Sequence, residues 1–337
     1  MDEMEPIFVL GRQHSGNTML TTLLGRVPNV LGVRGEGEFF ERQRWLDRLP
    51  PPKRAWHTAR CIRDDGVRAL LREDATPADM SIWKEITPRM KEAAARGATA
   101  AELYALGMRD VLERFGKERW AQKATSYIFS AEDILATFPR ARLIFLVRNP
   151  LDLAASTARR NGSFRHTARV AMGWNRGVRE ALRLQAERPA AFRIVRYEDL
   201  VRDSERVVRE VCAFCALAFD VSYLDVPHVN KSDTPYNKES QRRGLSASRV
   251  YYYHDMLSSA EEAAVRLAVD TTALRRLYPE LVASTGEPSP SERFKGMALL
   301  AGSAGVLVAQ EGKRLAAAPS RNAMRIAYRL RGGLLRS

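Results

Sequence analysis

Residues 6–26 read PIFVLGRQHSGNTMLTTLLGR. Ile7 to Leu10 form a short apolar run ending at a glycine, the pattern of a strand buried in a parallel sheet. Gly11 to Gly16 make a turn of small and polar residues. From Asn17 onward, Met19, Leu20, Leu23 and Leu24 recur at helical spacing. Strand, glycine-bearing turn and helix in that order aim backbone N–H groups and a helix N-terminus at one spot. That is an anion site, and a phosphate is the expected ligand. Gly11, Gly16 and Thr18 match G-x-x-x-x-G-K-[ST] at every fixed position but one, where Asn17 replaces the lysine. The departure weighs against ATP or GTP as ligand. A plain strand-to-helix turn is the other reading of this stretch taken alone.

A second anion site is expected further along. ARLIFLVRNP (141–150) is the clearest buried strand in the chain, and it ends on Arg148 just before a proline that forces a turn. Arg148 thus stands at the carboxyl end of a parallel strand, where open α/β sheets bind ligands. Ser156 and Arg160 follow at a spacing of four, on one face of the next helix. Two arginines and a hydroxyl hold a phosphate through charge-assisted hydrogen bonds. A nucleotide hydrolase would place an acid for magnesium near such a strand end, and here there is an arginine.

Other elements follow from periodicity and end signals. Helices are expected over 101–115, from Ser126 or Ser130 to Thr137, over 151–160, over Thr167–Glu187, from Ser204 and over Glu261–Leu277. RWAQK (119–123) reads as a strand ending on Lys123, and Ile194–Val195 as another. Residues 41–100, with Pro50–Pro52, Trp45, Trp56 and Trp83, read as an irregular insertion of the kind that carries substrate loops. Glu36 and Glu38 lie among glycines just before Phe39-Phe40, either beside the phosphate site or as acids at a helix N-terminus. Residues 225–253 are basic and loop-like, with Lys231, Lys238, Arg242, Arg243 and Arg249. They suit a lid over an anionic cofactor.

At 337 residues with 45% hydrophobic content, the chain buries the core of one large domain or two small ones. Its three cysteines, Cys61, Cys212 and Cys215, argue for a reducing compartment. Cys212 and Cys215 form a CxxC inside an apolar helix, with no second pair to complete a metal site. No signal peptide is read in MDEMEPIFVL, so a cytoplasmic location is expected. The longest apolar run, near Met297–Ala309, is too short to span a bilayer. Net charge is +14, and from Phe294 to the end there are eight basic residues and one acid. Such a field attracts polyanions, phosphorylated cofactors or anionic lipid, but the chain has no motif for specific nucleic-acid recognition. The expected organisation is a body over 1–283, with 41–118 as a variable insertion, a linker at 284–292, and a basic tail over 293–337. Two tail helices, Met297–Leu315 and Asn322–Leu330, either pack on the body or lie peripherally on an anionic membrane.

Four segments together resemble the sulfotransferases that use 3′-phosphoadenosine 5′-phosphosulfate (PAPS), most closely the bacterial members and the tyrosylprotein sulfotransferases. GRQHSGNTML is similar to their 5′-phosphosulfate loop, LIFLVRNPLDLAASTARR to their 3′-phosphate motif, and RYEDLV (196–201) to their tyrosine-acid motif. Lys123 falls where the family keeps a catalytic lysine. The resemblance covers most of residues 6–280, with 41–118 and 220–250 poorly matched. It implies a P-loop-NTPase-like, three-layer α/β fold with a central parallel sheet flanked by helices, binding PAPS without metal and releasing 3′-phosphoadenosine 5′-phosphate. It also implies that Ser15, Gly16, Asn17 and Thr18 hold the 5′-phosphosulfate, together with Arg12, Gln13 and His14 of the same loop. Arg148, Ser156 and Arg160 hold the 3′-phosphate, and Tyr197 and Arg249 contact the nucleotide. Lys123 offsets charge on the transferring group, and Glu36, with Glu38 as fallback, takes the acceptor's proton. His14 stands where the family has arginine or lysine, and Asn17 where it has threonine.

The acceptor is a hydroxyl or amine on a small molecule, carbohydrate, lipid or peptide, and neither its identity nor the oligomeric state is legible. The competing expectations are a P-loop nucleotide or small-molecule kinase and a non-catalytic polyanion- or membrane-binding protein.

Overall fold

A computed structural model gives the architecture. It describes residues 3–33, 35–63, 82–161, 164–226, 244–283 and 288–317. The chain forms two compact units. The first comprises Met1–Leu146, Glu187–Val195 and Asp199–Leu245; the second comprises Val147–Ala186, Arg196–Glu198 and Ser246–Ser337.

In chain order the elements are β1 (Ile7–Leu10), α1 (Asn17–Leu24), β2 (Val30–Val33), α2 (Phe39–Leu46), α3 (Pro51–Ile62), α4 (Ile82–Ala95), α5 (Ala100–Arg114), β3 (Arg119–Lys123), α6 (Ala131–Thr137) and β4 (Arg142–Val147). Then come α7 (Pro150–Asn161), α8 (Thr167–Glu187), β5 (Phe192–Arg196), α9 (Tyr197–Arg202), α10 (Ser204–Phe214), α11 (Tyr253–Met256), α12 (Ser259–Ala268), α13 (Thr271–Leu277), α14 (Pro279–Ala283) and α15 (Pro290–Ala317).

The sheet of the first unit has the order β2-β3-β1-β4-β5. β1 pairs in parallel with β3 and β4, and β2 pairs in parallel with β3. Because β1 is central, its residues are buried on both faces, and alternation sends them into two different layers. Ile7 and Val9 pack with Leu20, Leu23, Ile144, Val208 and Val211, placing α1 and α10 on one side. Phe8 enters an aromatic cluster with Phe40, Trp120 and Tyr127 on the other. The result is the expected α/β sheet flanked by helices.

In the second unit, α8 turns Val170, Trp174, Val178 and Ala181 inward. α15 lies so close to α12 that a Cβ on Gly296 would stand 2.9 Å from the Ala264 nitrogen.

Several expectations change. The described parts of 41–100 are largely helical rather than irregular, while the helix expected over 101–115 is α5. The proline run starts α3, with Pro51 and Pro52 in its first positions, where a missing N–H costs nothing. β2, a four-residue edge strand containing Gly32, was not expected. Gly32 is needed there because the backbone of Gly25 passes against it, at 3.0 Å from a Cβ placed on Gly32. The expected helix Glu261–Leu277 is two helices, since the Asp270 side chain accepts from the Ala273 N–H and caps a new start. α15 begins at Pro290, within the stretch read as a linker. Lys231, Lys238, Arg242, Arg243 and the expected tail helix Asn322–Leu330 lie outside the described residues.

Candidate active site

The loop between β1 and α1 is shaped by backbone. Gly11, His14 and Gly16 all have positive φ, at 139°, 71° and 92°. The Ser15 N–H donates to the Arg12 carbonyl at 3.2 Å, closing a turn within the loop, and the first turn of α1 adds N–H groups that have no intrahelical acceptor. The loop thus has the strand–turn–helix form that its sequence suggested. Gly11 has no substitute: a Cβ there would stand 2.3 Å from the Leu146 carbonyl oxygen, where β1 and β4 end side by side. Histidine is among the non-glycine residues that tolerate the left-handed region, which suits His14 to its φ.

Asn17 fills the place of the absent lysine, and its side chain faces the loop itself. Its Nδ2 donates to the Gly11 carbonyl at 2.9 Å and to the Arg12 carbonyl at 3.1 Å. The amide therefore fastens the loop from inside. Ser15 is buried, Arg12, His14, Gly16 and Thr18 are half-buried, and Gln13 is exposed.

At the same edge of the sheet, Lys123 closes β3, with Val9 as its partner in register. Its Nζ lies 3.4 Å from Glu36 Oε1. Thr125 Oγ1 donates to Glu36 Oε2 at 2.7 Å. Gly37 makes this possible: its N–H donates to the Lys123 carbonyl at 3.3 Å, and a Cβ on it would stand 2.5 Å from the Tyr127 hydroxyl. The Tyr127 hydroxyl in turn accepts from the Phe40 N–H. Glu38, two residues on, is the N-cap residue of α2 and pairs with Arg42 one turn along that helix. The two glutamates thus have separate surroundings, and Glu36 is the one beside Lys123. Thr125 went unnoticed in the sequence; a threonine two residues past the strand-end lysine was its only signal.

In the second unit, Arg148 is built into a network of side chains. It is 4% exposed. Its Nη2 donates to the Arg249 carbonyl at 2.6 Å and lies 3.6 Å from Asp152 Oδ2. Its guanidinium stands 4.4 Å from the ring centre of Tyr197 and 5.5 Å from that of Tyr252, both within cation–π range. Ser156 Oγ and the Tyr252 hydroxyl share a 2.5 Å hydrogen bond. Arg160 is exposed, near the end of α7.

Beneath this group lie two buried carboxylates. Asp152 accepts from the N–H groups of Tyr251 and Tyr253, at 3.0 and 3.1 Å, and from Asn149 Nδ2. Glu198 accepts from the Asn149 N–H at 2.9 Å and from the Tyr278 hydroxyl at 3.0 Å. Burial pushes both carboxyls above their ordinary values, while Arg148 and the N–H donors pull them back. Burial also pushes the Tyr197 hydroxyl up. Asn149, Asp152 and Tyr252 went unread. The signals for them were an asparagine before proline with an acid three residues on, and a run of three tyrosines.

Among the described residues, no group of three His, Cys, Asp or Glu gathers in a way that would hold a metal ion. The three cysteines are buried, and burial pushes the Cys215 thiol up to about 12, which leaves it inert. No helix among the described residues is long and apolar enough to cross a membrane.

A family model described as "Sulfotransferase family" matches residues 6–221. The sulfotransferase domain of the Synechococcus PCC 7002 olefin synthase is similar at 20% identity, over 85% of this chain and 98% of that one, with a TM-score of 0.55. The sulfotransferase domain from the curacin biosynthetic pathway is similar at 17% identity, over 80% and 99%, with a TM-score of 0.49. A Mycobacterium tuberculosis H37Rv sulfotransferase is similar at 17% identity, over 75% and 77%, with a TM-score of 0.37. No curated protein matches the chain.

Proposed function

The chain belongs to the sulfotransferase family, and from that premise we propose that it moves a sulfuryl group from PAPS to a hydroxyl or amine acceptor. The observation that carries this reading is the placement of Asn17. The side chain that a nucleotide hydrolase would aim at outer phosphates is instead bonded to Gly11 and Arg12, while the Lys123–Glu36 pair stands at the same sheet edge.

The residues fit such a donor. Ser15, Gly16, Asn17 and Thr18 hold its 5′-phosphosulfate, with Arg12, Gln13 and His14 alongside. Arg148, Ser156 and Arg160 hold its 3′-phosphate, and Tyr197 and Arg249 contact the nucleotide. PAPS, when bound, supplies a sulfuryl group whose bond to the bridging oxygen breaks as the acceptor atom bonds to sulfur. Glu36 takes the proton from the acceptor, Thr125 holds the far oxygen of that carboxylate, and Lys123 and His14 offset developing charge. A sulfuryl group carries less charge than a phosphoryl group, so cationic side chains suffice where kinases recruit magnesium. The acceptor is a small molecule, carbohydrate, lipid or peptide. The low, odd cysteine count favours a reducing, cytoplasmic setting, and the tail's charge favours peripheral contact with an anionic surface.

Calorimetric titration with 3′-phosphoadenosine 5′-phosphate, against ATP and AMP, tests the reading. Tight binding of the first and weak binding of ATP are expected; the reverse order overturns it. Arg148→Ala should weaken 3′-phosphoadenosine 5′-phosphate far more than AMP. Glu36→Gln should leave that binding intact and cut transfer by about 10²-fold or more; undiminished transfer would move the base elsewhere.

A further inference from the structure

We propose that the outward face of α15 docks on an anionic lipid surface. Residues 296–309, GMALLAGSAGVLVA, carry no charge, and their single polar side chain, Ser303, is buried. The Ser303 hydroxyl accepts from the Ala168 N–H at 2.8 Å and donates to the Arg165 carbonyl at 3.2 Å, so it marks the inner side of the helix. At 3.6 residues per turn, Phe294, Met297, Ala298, Ala301, Gly305 and Val308 fall within an arc of roughly 100° on the opposite side. The three large ones are open to solvent: Phe294 is 70% exposed, Met297 52% and Val308 73%. A helix face turned to water is ordinarily polar, and a long uncharged row of large apolar side chains marks a surface made to be covered.

Charge decides what covers it. Arg293 and Lys295 stand at one end of the row, Lys313 and Arg314 at the other. Beyond them, residues 315–337 add Arg321, Arg325, Arg329, Arg331 and Arg336 with no acid. Lysines flanking an apolar stripe lay their methylenes along it and raise their ammonium groups to headgroup level. A second copy meeting this face would bring two such tails together, each with nine basic residues and one acid over 293–337. Anionic headgroups neutralise the same charge.

The full chain is mixed with vesicles of phosphatidylcholine alone, or with one third phosphatidylglycerol, and sedimented; its mass in solution is measured alongside. Binding to the phosphatidylglycerol vesicles only, weakened at least about tenfold in Phe294→Glu/Val308→Glu, is expected, since that pair carries much of the buried apolar area. Both positions are exposed, so the variant should melt as the parent does. Equal binding by the variant would overturn the proposal and assign the affinity to the arginines alone. A dimer in solution that the variant breaks, without vesicle binding, would assign the face to a second copy. A monomer that binds neither vesicle would assign its cover to residues 318–337. Either result refutes lipid docking.

Discussion

The loop after β1 and the arginine at the end of β4 are held in place by opposite means. The loop is a matter of backbone. Three positive φ angles within six residues curl it, and one amide, that of Asn17, fastens it from inside. Arg148 is a matter of side chains. Asp152, Tyr197, Tyr252 and the Arg249 carbonyl surround it, and Asn149 and Glu198 support that shell. A substitution in the loop therefore acts through local geometry, whereas one in the network removes a partner from a buried charge.

The largest test of this contrast is Asp152→Ala. It leaves Arg148 without its buried carboxylate and strands the N–H groups of Tyr251 and Tyr253, at a cost of about 3–5 kcal/mol. Thermal melting measures it, and a shift no larger than that of a surface substitution would show that the network does not hold the arginine. Next comes Gly11→Ala, which forces a Cβ toward the Leu146 oxygen and costs about 1–3 kcal/mol. Denaturant unfolding should register the loss; a stable variant would mean that the loop relaxes freely.

Asn17→Lys restores the missing motif residue and sharpens the comparison further. Losing two hydrogen bonds costs about 1–3 kcal/mol in all, at the lower end where water replaces them, and ATP affinity should not rise. A variant of undiminished stability that binds ATP tightly would show that Asn17 fastens nothing.

The smallest effect concerns pH. Burial raises the Glu198 carboxyl. A carboxyl raised by folding contributes stability that is complete below its unfolded value, about 4.3, and is lost as pH rises through the raised value. Glu198→Gln removes that dependence, so its melting deficit should be larger near about pH 4 than near neutrality. A deficit that grows with pH would refute the direction.

Much of the first unit was legible because its signals are contiguous. β1, the loop, α1, β3 and β4 each lie in one short string whose apolar period and glycines suffice. The helices within 41–100 were hidden because prolines and tryptophans suggest loops, although proline at a helix start is no obstacle. The gap between α12 and α13 was hidden because their apolar spacing runs on across it, and Asp270 reads as an ordinary surface acid.

Arg148, Ser156 and Tyr197 were readable as candidates, but the carboxylates beneath them were not, since Asp152 and Tyr253 meet across 101 residues of chain. The sequence by itself determined a parallel α/β sheet with a glycine-bearing strand-to-helix loop lacking the phosphate lysine, because hydrophobic period and glycine position are local properties. Only the tertiary structure decided that Glu36 rather than Glu38 stands beside Lys123, and that Thr125, 89 residues away in the chain, holds its other oxygen. Those pairings arise where parallel strands bring their carboxyl ends to one edge, and no periodicity within a single segment records which loops meet there.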